Sequence, residues 1–223
     1  MSFGGIAGGE GLRTCVYVVD DDAAVRRGIE RLLRASGHAC RVFDSAQAYL
    51  DSKLEPCDAA CLVLDIRMPE MSGTELQARL QGTAHEVPIV FVTGHGDIPT
   101  CVKTLKAGAV SFLTKPFDEA SLLGAVREAL RVARETAEQR ANGLRARTLY
   151  ATLSLREQDV FHCVVRGLLN KQIAAELEIA EKTVKVHRGR VMDKMEVGSV
   201  AELVRLSALL ATASGDERDK RHV

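Results

Sequence analysis

The chain has no tryptophan, only 4% aromatic residues, and no proline after Pro116 in its 223 residues. It also has no surplus of charge, with 30 Lys and Arg against 30 Asp and Glu. A balance of zero excludes a histone-like polycation and a polyanion, because sequence-blind binding to DNA draws on an excess of basic groups. A local basic patch is still compatible with it. No apolar run reaches the roughly 18 to 20 residues needed to span a bilayer, and the N-terminal MSFGGIAGGEG lacks the basic-then-apolar order of a signal peptide. A soluble, cytoplasmic protein without membrane association is the expectation. Of the six cysteines only Cys57 and Cys61 are close, and no second pair follows at zinc-site spacing. Reduced core thiols are the expected state.

What the chain does have is a globular hydrophobic content, 46%, enough for two ordinary domains. Short β-branched runs at 15–20, 39–43, 60–65, 88–93 and 109–114 read as five strands, the third and fourth apolar almost throughout. Helix-length segments separate them: Val25, Ile29, Leu32 and Leu33 recur at helical spacing, as do Val102 and Leu105. This alternation predicts an α/β doubly wound, five-stranded parallel sheet over 12–130, after a disordered 1–11. A helical pattern follows. Residues 131–150 read as a helical linker, either a coiled-coil seam or a solvated spacer, with Asn142-Gly143 a possible break. Residues 151–212 read as an all-α four-helix domain, opened by the capping-box spacing of Ser154 and Glu157, with Asn170 capping its second helix and Val184, Val191 and Met195 inside the third. Residues 213–223 read as a disordered tail.

Divided by segment, the zero balance becomes a cancellation. Residues 12–130 carry a net charge of −3, whereas the helix at 181–195 holds five basic residues against two acidic ones.

In an open parallel sheet, ligands bind beyond the carboxyl ends of the strands. Those ends carry Asp20 and Asp21, Asp65, Thr93 and Lys115. Converging carboxylates repel unless a hard divalent cation joins them, and oxygen ligands of this kind suit Mg²⁺ (or Mn²⁺). Asp65, ending the central strand, is the candidate nucleophile toward phosphorus, giving an acyl phosphate. Lys115 would supply a second positive charge and Thr93 a hydroxyl. A strand-end Asp taken singly is more simply a helix cap; four strand ends together point to one site.

The motifs VVDDD (18–22), LDIRMPEMSG (64–73), VTGHGDIP (92–99) and KAGAVSFLTKPF (106–117) make residues 12–130 resemble a bacterial response-regulator receiver domain. Residues 151–212 resemble a LuxR-type helix-turn-helix, and the whole is similar to the FixJ-like branch of the NarL/FixJ family. The resemblance implies a two-component response regulator phosphorylated on Asp65 by a sensor histidine kinase. It implies a metal held by Asp21, Asp65 and the backbone carbonyl of Arg67, with Asp20 acting through water. It further implies a cis Lys115-Pro116 bond, a switch made of Thr93 and Phe112, homodimerisation on activation, and control of transcription by RNA polymerase. As a plain strand aromatic, Phe112 has core packing as its simpler role.

The segment GLLNKQIAAELEIAEKTVKVHRGRVMDKM (167–195) carries the DNA-binding resemblance. It implies that Lys185, Val186 and the position of Gly189 face the bases of promoter DNA. Lys182, Thr183, His187, Arg188 and Arg190 become candidates for phosphate or groove contacts. For His187 a packed, half-buried ring is an equal alternative. Gly189 costs roughly 1 kcal/mol in a helix relative to Ala, and Ala180 stands where a Ser or Thr cap is usual, leaving Glu181 to support that end through the helix dipole. Two rival functions stay open: a Mg²⁺-dependent phosphohydrolase with an aspartyl-phosphate intermediate, for which Glu70 is the available acid or base, and a phosphorylation-independent DNA-binding regulator.

Overall fold

The computed structural model describes residues 13–54, 57–83, 85–94 and 98–218, with side chains described to residue 210. The expected disordered N-terminus lies outside the described residues. The chain divides into two compact units, residues 1–137 and 138–223.

In the first unit, strands β1 (Thr14–Val19), β2 (Ala39–Phe43), β3 (Ala59–Asp65), β4 (Ile89–Thr93) and β5 (Ser111–Thr114) form one sheet in the order β2-β1-β3-β4-β5. All four pairings are parallel. Helices α1 (Ala23–Ala35), α2 (Ala46–Asp51), α3 (Gly73–Leu80) and α4 (Ile98–Lys106) connect the strands, and α5 (Glu119–Ala151) begins in this unit and continues past its last residue, 137. β3 and β4 are buried at every residue, as their unbroken apolar runs require of strands covered on both faces. Alternation splits β1 between two cores. Tyr17 and Val19 join Leu62, Leu64 and Phe91 on one face, and Val16 and Val18 join Val63, Val92 and Leu122 on the other. Much of the scarce aromatic content is concentrated in the first core, where Tyr17, Phe43 and Tyr49 pack at ring separations of 5.3 to 6.3 Å.

The second unit contains α6 (Leu155–Val165), α7 (Asn170–Glu176), α8 (Glu181–Lys194) and α9 (Val200–Arg218). Val160, Phe161, Ile173, Val184, Val191, Met195 and Leu203 form its core. Ser154 and Glu157 make the expected capping box at α6.

Several local expectations change. Asn142-Gly143 does not interrupt α5, since one glycine in a run of good helix formers costs too little to break it. Asn170 is the first residue of α7 rather than its cap: the Leu169 amide is satisfied by the Gln172 side chain. α9 extends to Arg218, past the expected start of a disordered tail, and 219–223 lie outside the described residues. Among the described residues, no helix is long and apolar enough to cross a membrane. All six cysteines are free thiols, with only Cys61 and Cys163 fully buried.

Candidate functional site: an acidic pocket and a basic helix

The run Asp20-Asp21-Asp22 leaves β1 and enters α1, and backbone geometry gives its three carboxylates separate tasks. Asp22 is the helix cap: its side chain accepts from the Ala24 and Val25 amides, which holds its carboxyl below the usual range. Asp20 turns inward and is fully buried, accepting from the Asp22 amide at 2.9 Å, while the Arg26 guanidinium binds its backbone carbonyl at 2.6 Å. Asp21 remains exposed. Asp65 ends β3, buried, and accepts from the Arg67 amide at 3.2 Å.

Parallel pairing of β1, β3, β4 and β5 brings the strand ends to one edge. There the Lys115 Nζ bridges Asp20 Oδ2 at 2.6 Å and Asp65 Oδ2 at 2.8 Å. Carboxylate oxygens of Asp20, Asp21 and Asp65 all lie within 4.8 Å of one another. This donor set fits a hard divalent cation: three oxygen ligands of like charge at one spot, two of them on buried residues. Burial raises the Asp20 pKa, and the hydrogen bond from Lys115 offsets only part of that rise. Burial also works against the Lys115 ammonium, but its hydrogen bonds to Asp20 and Asp65 together outweigh it and raise its pKa. Lys115 therefore stays charged and holds the two carboxylates together.

Thr93 is fully buried at the end of β4, and its carbonyl accepts from the Lys115 amide at 2.7 Å. The Lys115-Pro116 bond is cis. Phe112 on β5 is half-buried against the core shared by Tyr17 and Phe91. Arg67 is exposed directly after β3. Glu70, which the hydrolase alternative needs, is an exposed residue in a left-handed turn at φ 64°. Among the described residues, hydrogen bonds to the Asp65 carboxylate come from Lys115 and the Arg67 amide.

On α8, the side chains of Lys182, Thr183, Lys185, Val186 and Arg190 are exposed, as is Gly189, while Val184 and Val191 are buried beneath them. Ala180 supplies no side-chain cap, and Glu181 occupies the first turn. His187 is half-buried, and its Nδ1 is buried without a hydrogen-bond partner among the described residues, as in a packed ring. Arg188 is only half exposed and donates to Asn170 Oδ1 at 3.0 Å, a link that spacing could not disclose because the partners stand 18 residues apart. Sequence reasoning also left Gly73 and the partners of Glu157 without a role. Lys194 Nζ meets Glu157 Oε2 at 2.6 Å, tying the end of α8 to the start of α6.

Residues 16–127 match the response regulator receiver domain family, and residues 151–207 match the bacterial regulatory proteins of the luxR family. The response regulator protein TodT of Pseudomonas putida is 49% identical over 199 residues, covering 87% of this chain and 86% of that one. The transcriptional regulatory protein FixJ of Bradyrhizobium diazoefficiens is 42% identical over 192 residues, covering 86% and 93%. Among solved structures, that of the response regulator StyR aligns with a TM-score of 0.76 at 47% identity, covering 88% of this chain and 98% of that one. Full-length FixJ from B. japonicum aligns at 0.54 and 39% identity, covering 91% and 99%. With both family models matched in order over most of its length, the chain belongs to the NarL/FixJ family of two-component response regulators, transcriptional regulators that join a receiver domain to a LuxR-type DNA-binding domain.

Proposed function

We propose that a sensor histidine kinase phosphorylates Asp65, and that the modified chain binds promoter DNA as a homodimer through α8 and acts on transcription by RNA polymerase from the cytoplasm. The observation that carries this reading is the Lys115 bridge between Asp20 and Asp65, within a carboxylate group spanning 4.8 Å. The Asp65 carboxylate attacks the phosphorus of the kinase's phosphohistidine, an Asp65 O–P bond forms as the P–N bond breaks, and the kinase imidazole leaves with that electron pair; Lys115 and the Thr93 hydroxyl stabilise the oxygens of the transferred group. Mg²⁺ or Mn²⁺, held by Asp21, Asp65 and the Arg67 carbonyl with Asp20 behind, would neutralise phosphoryl charge when bound. Thr93 and Phe112 act as the switch. The domains are 12–130 for phosphoacceptance, 131–150 as linker and 151–212 for DNA binding. Among the described residues the Asp65 carboxylate meets Lys115 and the Arg67 amide, and in this reading the acyl phosphate accumulates as a signal rather than being turned over.

Binding to genomic DNA with and without beryllofluoride tests this reading. Wild type should gain about tenfold or more in affinity, within the usual range of allosteric coupling, and Asp65→Asn should gain nothing. Full binding and activation by Asp65→Asn would favour a phosphorylation-independent regulator, and repeated turnover of a phosphate ester would favour a hydrolase.

Lys185 and Val186 form the base-reading face with Gly189. Lys182, Thr183, Arg188 and Arg190 serve phosphates and groove, while the half-buried ring of His187 packs beneath them. Lys185→Ala should weaken specific binding by roughly 1 to 3 kcal/mol, with little loss on unrelated DNA. An equal loss on every sequence, with a shallower salt dependence, would reassign Lys185 to a phosphate.

A further inference from the structure

α4 is attached to the receiver unit mainly through polar and backbone contacts. Among the described residues it adds no hydrophobic side chain to either core cluster, and Thr104 is its buried residue. Val102 and Leu105, which recur at helical spacing in the sequence, are 44% and 42% exposed, and Ile98 at the start of the helix is 80% exposed. Thr104 turns its hydroxyl back to the Thr100 and Cys101 carbonyls of its own helix.

A polar contact holds the other end. Gln77 is buried on α3, and its Nε2 donates to the Thr104 carbonyl at 3.4 Å and to the Ala107 carbonyl at 3.1 Å. The same turn is closed by Gly108 at φ 92°, with the Gly108 amide on Leu105 O and the Ala109 amide on Thr104 O, a Schellman end that fixes where those carbonyls point. Two clefts flank the bridge, about 290 Å³ beside Ala78 and Lys103 and about 210 Å³ beside Leu80 and Lys106. Both clefts open to solvent, so water can reach the Gln77 carboxamide and compete for its two carbonyl partners. At its other end α4 begins five residues after the buried Thr93 of the acidic pocket.

We infer that Gln77 is a positioning residue, a latch whose carboxamide holds the C-terminal turn of α4 in the resting place, and that activation at Asp65 requires this latch to open. An amide donor pair suits the task. It is directional enough to select one placement of α4, and each bond is weak enough to be exchanged for solvent when charge appears at the pocket. A leucine at 77 would fill similar volume and retain packing while removing both donors. A glutamate would keep the shape and, ionised, offer no donor to a carbonyl.

The inference rests on the reading of Asp65 as phosphoacceptor, and the test separates the two. Hydrogen exchange and DNA binding are measured on the full chain, wild type, Gln77→Leu and Gln77→Glu, with and without beryllofluoride. Without beryllofluoride, both variants should exchange α4 amides about tenfold faster while β3 and β4 keep their protection. Their basal DNA affinity should rise severalfold toward the beryllofluoride value, with that upper value unchanged. Unchanged α4 exchange, acceleration spread equally over the sheet, or faster α4 exchange without a rise in basal DNA affinity would each overturn the latch. If wild type ignores beryllofluoride, the Asp65 reading fails, while the α4 exchange of the variants still decides whether Gln77 holds the helix.

Discussion

Replacing Gly73 with Ala is expected to lower receiver stability by about 3 kcal/mol, the upper end for overpacking, and to slow acyl-phosphate formation at Asp65 by about 100-fold. Gly73 opens α3, and its amide donates to the Ile66 carbonyl at 2.9 Å. Ser72 and Glu75 close a capping box over the same turn, so the helix start cannot slide. A methyl group at 73 would stand 2.2 Å from the Asp65 carbonyl oxygen, 3.0 Å from Leu64 Cγ and 3.1 Å from the Asp65 carbonyl carbon. Two of these three atoms are backbone of Asp65 itself. They cannot swing aside as a side-chain tip would, so either β3 or the turn after it must move by roughly 1 Å, a displacement large enough to cost about 100-fold when reacting groups are positioned. That displacement would disturb the 2.8 Å Lys115 contact and the 3.2 Å Arg67 contact that orient the Asp65 carboxylate. Gly94→Ala, next to Thr93 in the chain, is the control, since among the described residues a Cβ there meets nothing within 4 Å; its stability should stay within about 0.5 kcal/mol of wild type. Urea denaturation and the rate of labelling by a small acyl-phosphate donor read both effects. A Gly73→Ala protein with wild-type values in the two assays would show that the turn after β3 yields freely.

The fold and the pocket were legible where one periodicity or one strand end sufficed. The apolar runs of β3 and β4 located strands buried on both faces, and the strand-end rule placed Asp20, Asp21, Asp65, Thr93 and Lys115 at one edge. Legibility ended where function depended on which atom of a run faces which neighbour. VVDDD holds three aspartates, yet only backbone direction decides that Asp22 caps α1 while Asp20 is buried against Lys115. α4 shows the opposite failure: Val102 and Leu105 have helical spacing, but the spacing alone does not say whether a partner covers them. Gln77 and Gly73 carried no signal of their own, because a lone glutamine on a helix is ordinary until its partners 27 and 30 residues away are known. In the second unit, Ser154 and Glu157 announced a capping box, but their spacing was silent about Lys194, 37 residues further on.

That last pair leads to a pH dependence. Glu157 is buried, and its Oε2 accepts from Lys194 Nζ at 2.6 Å and from the Ser154 amide at 2.8 Å; Lys194 also donates to the Thr152 carbonyl at 3.1 Å. The hydrogen bond from Lys194, followed by that from the Ser154 backbone, holds the carboxyl at about 2, below its ordinary 4.5. A group with a depressed folded-state pKa binds its proton more readily when unfolded, so the stability it contributes is fully present above pH 4.5. It is lost as pH falls from there toward about 2. The shift corresponds to about 2 to 3 kcal/mol, the lower figure allowing for solvent screening at the partly exposed Lys194 end. Glu157→Gln keeps the shape and one acceptor but removes the charge. At pH 7 it should therefore destabilise the DNA-binding unit by about 2 to 3 kcal/mol, and the gap to wild type should close as pH approaches 2. Urea denaturation between pH 7 and pH 2.5, taken as the difference between the two proteins, cancels the titration of every other carboxylate. A pH-independent gap would mean that Glu157 acts only as a neutral cap. A closing gap makes the ion pair the clamp that fixes the C-terminal end of α8 to α6, and Glu157→Gln should then also weaken DNA binding at pH 7, because the side chains of α8 would no longer be held in one orientation toward the groove.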